Sequence, residues 1–144
     1  MTEAAVVNQL VEGALIERGI RFERREDAAL RIPHGSADVL VDIDDLAGGT
    51  VIRVSALVLD NLKLAPEEES TALRALNDRN RSVRFAKFML EHGTGSITLE
   101  YDLLGDYLQP EELINAVTAV AQLADDHDDL LREELGGGRR AADR

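Results

Sequence analysis

The chain opens with an apolar stripe of helical period. Val7, Leu10, Val11, Ala14 and Leu15 recur at steps of three and four residues, which predicts a helix from about Glu3 to Arg18. Thr2 is placed to cap it, Glu3 suits the positive end of its dipole, and Gly19 stops it. From Ile20 the period drops to two. Ile20 and Phe22 alternate with charged residues as an extended lead-in, and Leu30 and Ile32 flank Arg31. Val39, Val41 and Ile43 then alternate with Asp38, Leu40 and Asp42, and Thr50 to Leu59 is the richest β-branched run. Pro33-His34-Gly35 and Ala47-Gly48-Gly49 read as the turns between these strands.

A break from Asp60 to Pro66 precedes a second helix. Proline in a first turn loses no needed hydrogen bond, and Glu67, Glu68 and Glu69 complement the dipole there. Leu73 and Leu76 give this helix a narrow apolar face, and it should end near Asn80. Val83 to Glu91 reads as a strand, His92-Gly93-Thr94-Gly95 as a hairpin loop, and Ile97 to Leu103 as the cleanest alternating strand. Gln109-Pro110-Glu111-Glu112 opens a last helix that runs to about Leu135 and is stopped by Gly136-Gly137-Gly138. Helix, three strands, helix, two strands, helix is an α+β order. It predicts one domain over 1–135 with a five-stranded antiparallel sheet packed on helices, and a disordered tail over 136–144.

A sheet with one wet face should alternate apolar and polar residues cleanly. Two strands do not. Thr50 to Leu59 carries Ile52, Val54, Ala56 and Val58 on one side, and Val51, Arg53, Ser55, Leu57 and Leu59 on the other. Val83 to Glu91 carries Ala86, Phe88 and Leu90 against Phe85, Lys87 and Met89. The face turned away from the helices is therefore expected to hold an apolar patch, the mark of a partner or self-association surface. Arg53, Leu57, Leu59, Phe85, Lys87 and Met89 are the candidate partner-binding residues.

Composition narrows the field. The chain has 144 residues with 28 acids against 16 bases, net −12. That balance disfavours gripping nucleic-acid phosphates or anionic lipid. Cysteine is absent, which excludes disulfides, thiolate metal sites and a thiol nucleophile. No apolar run approaches the roughly 18 residues of a membrane span. Residues 1–12 lack the pattern of a secretory signal, so the expected location is the cytoplasm. Five aromatics are few for stacking sugars or unpaired bases. Charge is segregated: residues 100–135 hold eleven acids and one base, residues 72–90 five bases and one acid.

Candidate chemistry is thin. Asp125-Asp126-His127-Asp128-Asp129 lacks a second histidine at metal-ligand spacing. A calcium loop counted from Asp42 would need glycine sixth and glutamate twelfth; Ala47 and Arg53 stand there, so Asp42 to Asp45 reads as a turn. Gly93-Thr94-Gly95-Ser96 lacks the third glycine and the following helix of a phosphate loop. Glu100 and Asp102 share a strand face, as on any wet strand, and no serine has an adjacent base. No catalytic residue, metal ligand or cofactor is assigned.

Leu76-Asn77-Asp78-Arg79-Asn80, Phe85-Ala86-Lys87-Phe88 and Leu99-Glu100-Tyr101-Asp102-Leu103 together resemble the YbjN family of small bacterial proteins, which share the fold of type III secretion chaperones. The resemblance spans about residues 1–135, with Ala86 where the family usually has glycine. It implies the same element order, a peptide-binding, chaperone-like role without catalysis, and often a homodimer. The expected function is to hold a segment of a client or partner protein. The alternative is a regulatory adaptor recognised through the acidic last helix.

Overall fold

The computed structural model describes residues 3–35, 37–135 and 139–140. The chain runs α1 (Ala4–Glu17), β1 (Glu23–Arg24), β2 (Leu30–His34), β3 (Ala37–Leu46), β4 (Gly49–Asp60), α2 (Pro66–Ser82), β5 (Lys87–Glu91), β6 (Ser96–Leu104), α3 (Pro110–Glu134) and β7 (Arg139–Arg140). The expected order is present, with two-residue strands β1 and β7 added. The sheet is antiparallel in the order β1-β2-β3-β4-β6-β5, and β7 pairs with β4. Within the stretch expected to be disordered, Arg139 and Arg140 pair with Asp60 and Leu59; the rest of that stretch lies outside the described residues.

Local chemistry accounts for most boundaries. Pro66 opens α2, its three glutamates follow, and the Glu68 carboxylate accepts the Ala65 N–H at 3.1 Å, closing the first turn. In α1, Glu3 occupies the N-cap position and makes no side-chain cap; Thr2 lies outside the described residues. Strand β2 continues through Pro33 and His34, so the turn falls on Gly35, whose φ is +59°. Strand β3 runs on to Leu46, so Asp42 to Asp45 lie in a strand rather than the expected turn. The expected strand from Val83 starts only at Lys87. Helix α2 extends to Ser82, and the Ala86 N–H then bonds the Arg84 carbonyl at 2.8 Å in a tight bend with Phe85 at φ +67°.

All three helices cover one face. Val7, Val11, Ala14 and Leu15 of α1, Ala72, Ala75 and Leu76 of α2, and Leu113, Val117, Val120 and Leu131 of α3 close over Val39, Val41, Ile52, Val54, Ala56, Ile97 and Leu99. Helix α3 lies across β3, β4 and β6, α2 lies on β5, and α1 sits beside α3. The stripes differ in detail from the periodic reading. Alanines, not Leu73, line the buried side of α2, letting it sit close to β5; Leu73 is 49% exposed, as is Leu10 of α1 at 51%. Among the described residues, no helix is long and apolar enough to cross a membrane.

Candidate client-binding face

The strand face opposite the helices is bare. Strand alternation places Leu40, Asp42 and Asp44 of β3, Val51, Arg53, Ser55 and Leu57 of β4, Thr98, Glu100 and Asp102 of β6, and Lys87 and Met89 of β5 on it. Each of these is half-buried or exposed. The register sorts them into rows across the strands. Leu57, Thr98 and Met89 form an apolar row. Leu40, Ser55, Glu100 and Lys87 form the next, then Asp42, Arg53 and Asp102, and last Asp44, Val51 and Leu104.

Four of the six sequence-chosen residues, Arg53, Leu57, Lys87 and Met89, stand on this face. Leu59 does not. A bulge between Leu57 and Leu59 lets Leu57 pair with Thr98 while Leu59 pairs with Ile97, the next residue back. Leu59 is thereby turned into the core beside Val58, at 0% exposure. Phe85 is 77% exposed but lies off the face: its ring stacks on Tyr101 (centroids 5.8 Å apart, planes 19° apart), which shares the side of core-facing Leu99. Lys87 is spoken for locally. Its Nζ donates to the Asn80 and Val83 carbonyls at 2.8 and 3.0 Å, neutralising the C-terminal end of α2.

The middle of the face is acidic. The Arg53 guanidinium lies 3.0 Å from Glu100 and 3.7 Å from Asp44. Asp42 and Asp102 flank it in the register. Partial burial, then the charge of Asp27 and, more weakly, that of Asp44, push the Asp42 carboxyl above the usual range; Arg53 and Arg25 pull the other way. Burial, Asp102 and Asp42 likewise raise Glu100 against the opposing pull of Arg53.

Asn80 carries a role the sequence did not reveal. Its Nδ2 donates to the Phe88 carbonyl at 3.0 Å and its Oδ1 accepts the Phe88 N–H at 2.8 Å, as a neighbouring strand would. This amide closes the outer edge of β5 at that point, so strand addition there is blocked. The only hint was Asn80 itself, at the end of a quoted helix motif.

His127 lies edge-on to the Phe88 ring, with centroids 5.1 Å apart, and its buried Nδ1 has no hydrogen-bond partner. Burial, and then Arg79, lower its pKa; Asp126 opposes them. No group of three or more potential metal ligands occurs among the described residues. A cleft of about 530 Å³ opens between the loop after β4, the start of α2 and the β5–β6 hairpin, with His92 and Glu69 2.8 Å apart at its edge.

One side of the sheet is sealed by helices, and the other leaves apolar and ionisable side chains open to a partner. Residues 5–143 match the family described as T3SS (YopN, CesT) and YbjN peptide-binding chaperone 1, and the chain belongs to that family of non-catalytic binding proteins. The fold is similar to that in the crystal structure of the ExsC-ExsE complex, with a TM-score of 0.65 and 19% identity over 91% of this chain and 97% of that one. It is also similar to YbjN from E. coli (TM-score 0.62, 16% identity, 85% and 91% covered). The HopA1-SchA chaperone-effector complex offers a third likeness (TM-score 0.63, 6% identity, 90% and 99% covered). At such identities these likenesses establish the fold. No curated protein matches the chain.

Proposed function

We propose that this protein is a cytoplasmic chaperone-like module that holds an extended segment of a client protein against the open face of its sheet. One observation carries the reading: no described element covers that face, yet it displays Leu40, Val51, Leu57, Met89 and Leu104 among its charges. An extended segment laid there removes apolar area from water at roughly 25 cal/mol per Å². The family's peptide-binding description and the complexes named in two similar structures support a protein client. The acids of the face repel phosphate, which argues against nucleic acid. Arg53, Leu57, Met89 and Glu100 form the contact set; Phe85 lies off the face and Leu59 is excluded by burial.

The competing occupant is a second copy of the chain, as a homodimer. Leu57→Asp separates the cases. It should abolish retention of client proteins captured from the native host, with the circular dichroism spectrum and melting temperature retained. If the wild-type protein is a dimer in sedimentation and Leu57→Asp makes it a monomer, the face serves self-association instead. Unchanged retention and unchanged mass would sink the open-face reading.

A further inference from the structure

We propose that the segment held is cationic, with an apolar residue at position i, Lys or Arg at i+2 and i+4, and an apolar residue at i+6. This rests on the open-face reading above and adds the client's chemistry. Side chains on one side of an extended segment recur about every 6.7 Å, the same spacing as the rows of the face. A segment lying along β4 therefore sets one side chain on each row. The end rows hold the apolar residues: Leu57 with Met89 at one end, and Val51 with Leu104, beside Asp44, at the other. Both middle rows present acid: Glu100 in one, Asp42 and Asp102 in the other. Lys87 does not offset them, because its ammonium is drawn to the end of α2. Arg53 leans toward Glu100 and Asp44, and Asp42 and Asp102 on either side make no salt bridge among the described residues.

The free protein carries these charges unfavourably. Partial burial and neighbouring acids, Asp27 and then Asp44 for Asp42, Asp102 and then Asp42 for Glu100, raise both carboxyls above their ordinary value. A cationic side chain on each middle row offsets that repulsion. The exposed acids of α3 offer charge alone, without flanking apolar rows in register.

Two synthetic peptides test this, GSLTKTKTLSG and its glutamate counterpart GSLTETETLSG, titrated into the full chain and followed by amide chemical shifts. The lysine peptide should bind about tenfold or more tighter and shift Arg53, Glu100 and Asp102. Asp42→Asn with Asp102→Asn should lose about tenfold of that affinity. The charge-matched pair Glu112→Gln and Glu133→Gln, both exposed on α3, should lose little. Equal binding of both peptides on the face would overturn the cationic inference while leaving the face as a client site. Equal loss in the α3 pair would reduce the effect to net charge and also overturn it. No shift on the face with the lysine peptide overturns it as well, and Leu57→Asp retention then decides separately whether the face holds clients.

Discussion

Strand β4 shows two surfaces made by one alternation. Inward, Ile52, Val54 and Ala56 are at most 1% exposed; outward, Val51, Arg53 and Ser55 keep contact with water. The helices seal the first set into the core, so it carries the folding energy. The second set keeps part of its surface in water and contributes less to it. The lesson is a division of labour: one face of the sheet is fixed by stability, and the other is free to be chosen for a partner.

The largest expected effect breaks that comparison directly. Leu99, at 0% exposure, faces inward, and Leu99→Ala should cost about 2–5 kcal/mol by urea denaturation. Leu57→Ala on the outer face should cost below about 1 kcal/mol. Similar losses would mean that the outer face is sealed as well. Next comes the edge where the faces meet. Asn80→Ala removes both partners of the Phe88 backbone and should cost about 1–3 kcal/mol, with faster hydrogen exchange at the Phe88 amide. An unchanged exchange rate would show that the amide does not close that edge.

Much of this was legible. Proline followed by glutamates marked the starts of α2 and α3, and period-two alternation marked the inner faces of β4 and β6. The failures have physical causes. Counting by two cannot see a bulge, so Leu59 was placed on the wrong side of the sheet. No pattern of residues announces a positive φ at a phenylalanine, so Phe85 was read as part of a strand. On the buried side of α2 Leu76 stands as expected, but Ala72 and Ala75 take the place expected of Leu73. The acidic character of the outer rows was not visible as a unit, because Asp42, Glu100 and Asp102 come from separate parts of the chain and meet only through the register.

The helix-covered side also answers to pH. Burial and Arg79 depress the pKa of His127, with Asp126 opposing; Arg79 is itself paired to Glu134 at 2.7 Å. The unfolded chain, where the imidazole has its ordinary pKa near 6.5, then binds the proton more readily than the folded one. Stability is complete above that value and falls as pH drops below it, by at most about 1.4 kcal/mol per pH unit. Denaturation series from neutral to mildly acidic pH should show the decline, and His127→Leu should flatten it. A decline unchanged in that variant would assign it to another group.

The smallest effect has the opposite sign and belongs to the open face. Burial, Asp27 and Asp44 raise the Asp42 carboxyl, and Arg53 and Arg25 only partly offset them. A carboxyl raised in the folded state binds its proton more tightly there than in the unfolded chain. Its contribution favours folding below the unfolded pKa and is lost as pH rises through the folded one. At neutral pH the ionised group is therefore a small burden, and Asp42→Asn should raise stability by less than about 1 kcal/mol, with the gain shrinking in acid. The same substitution, combined with Asp102→Asn, should weaken the lysine peptide. A variant more stable yet poorer at binding is what a face chosen for a partner predicts; one that loses stability at neutral pH would show Asp42 to be structural and erase the distinction between the two faces at that position.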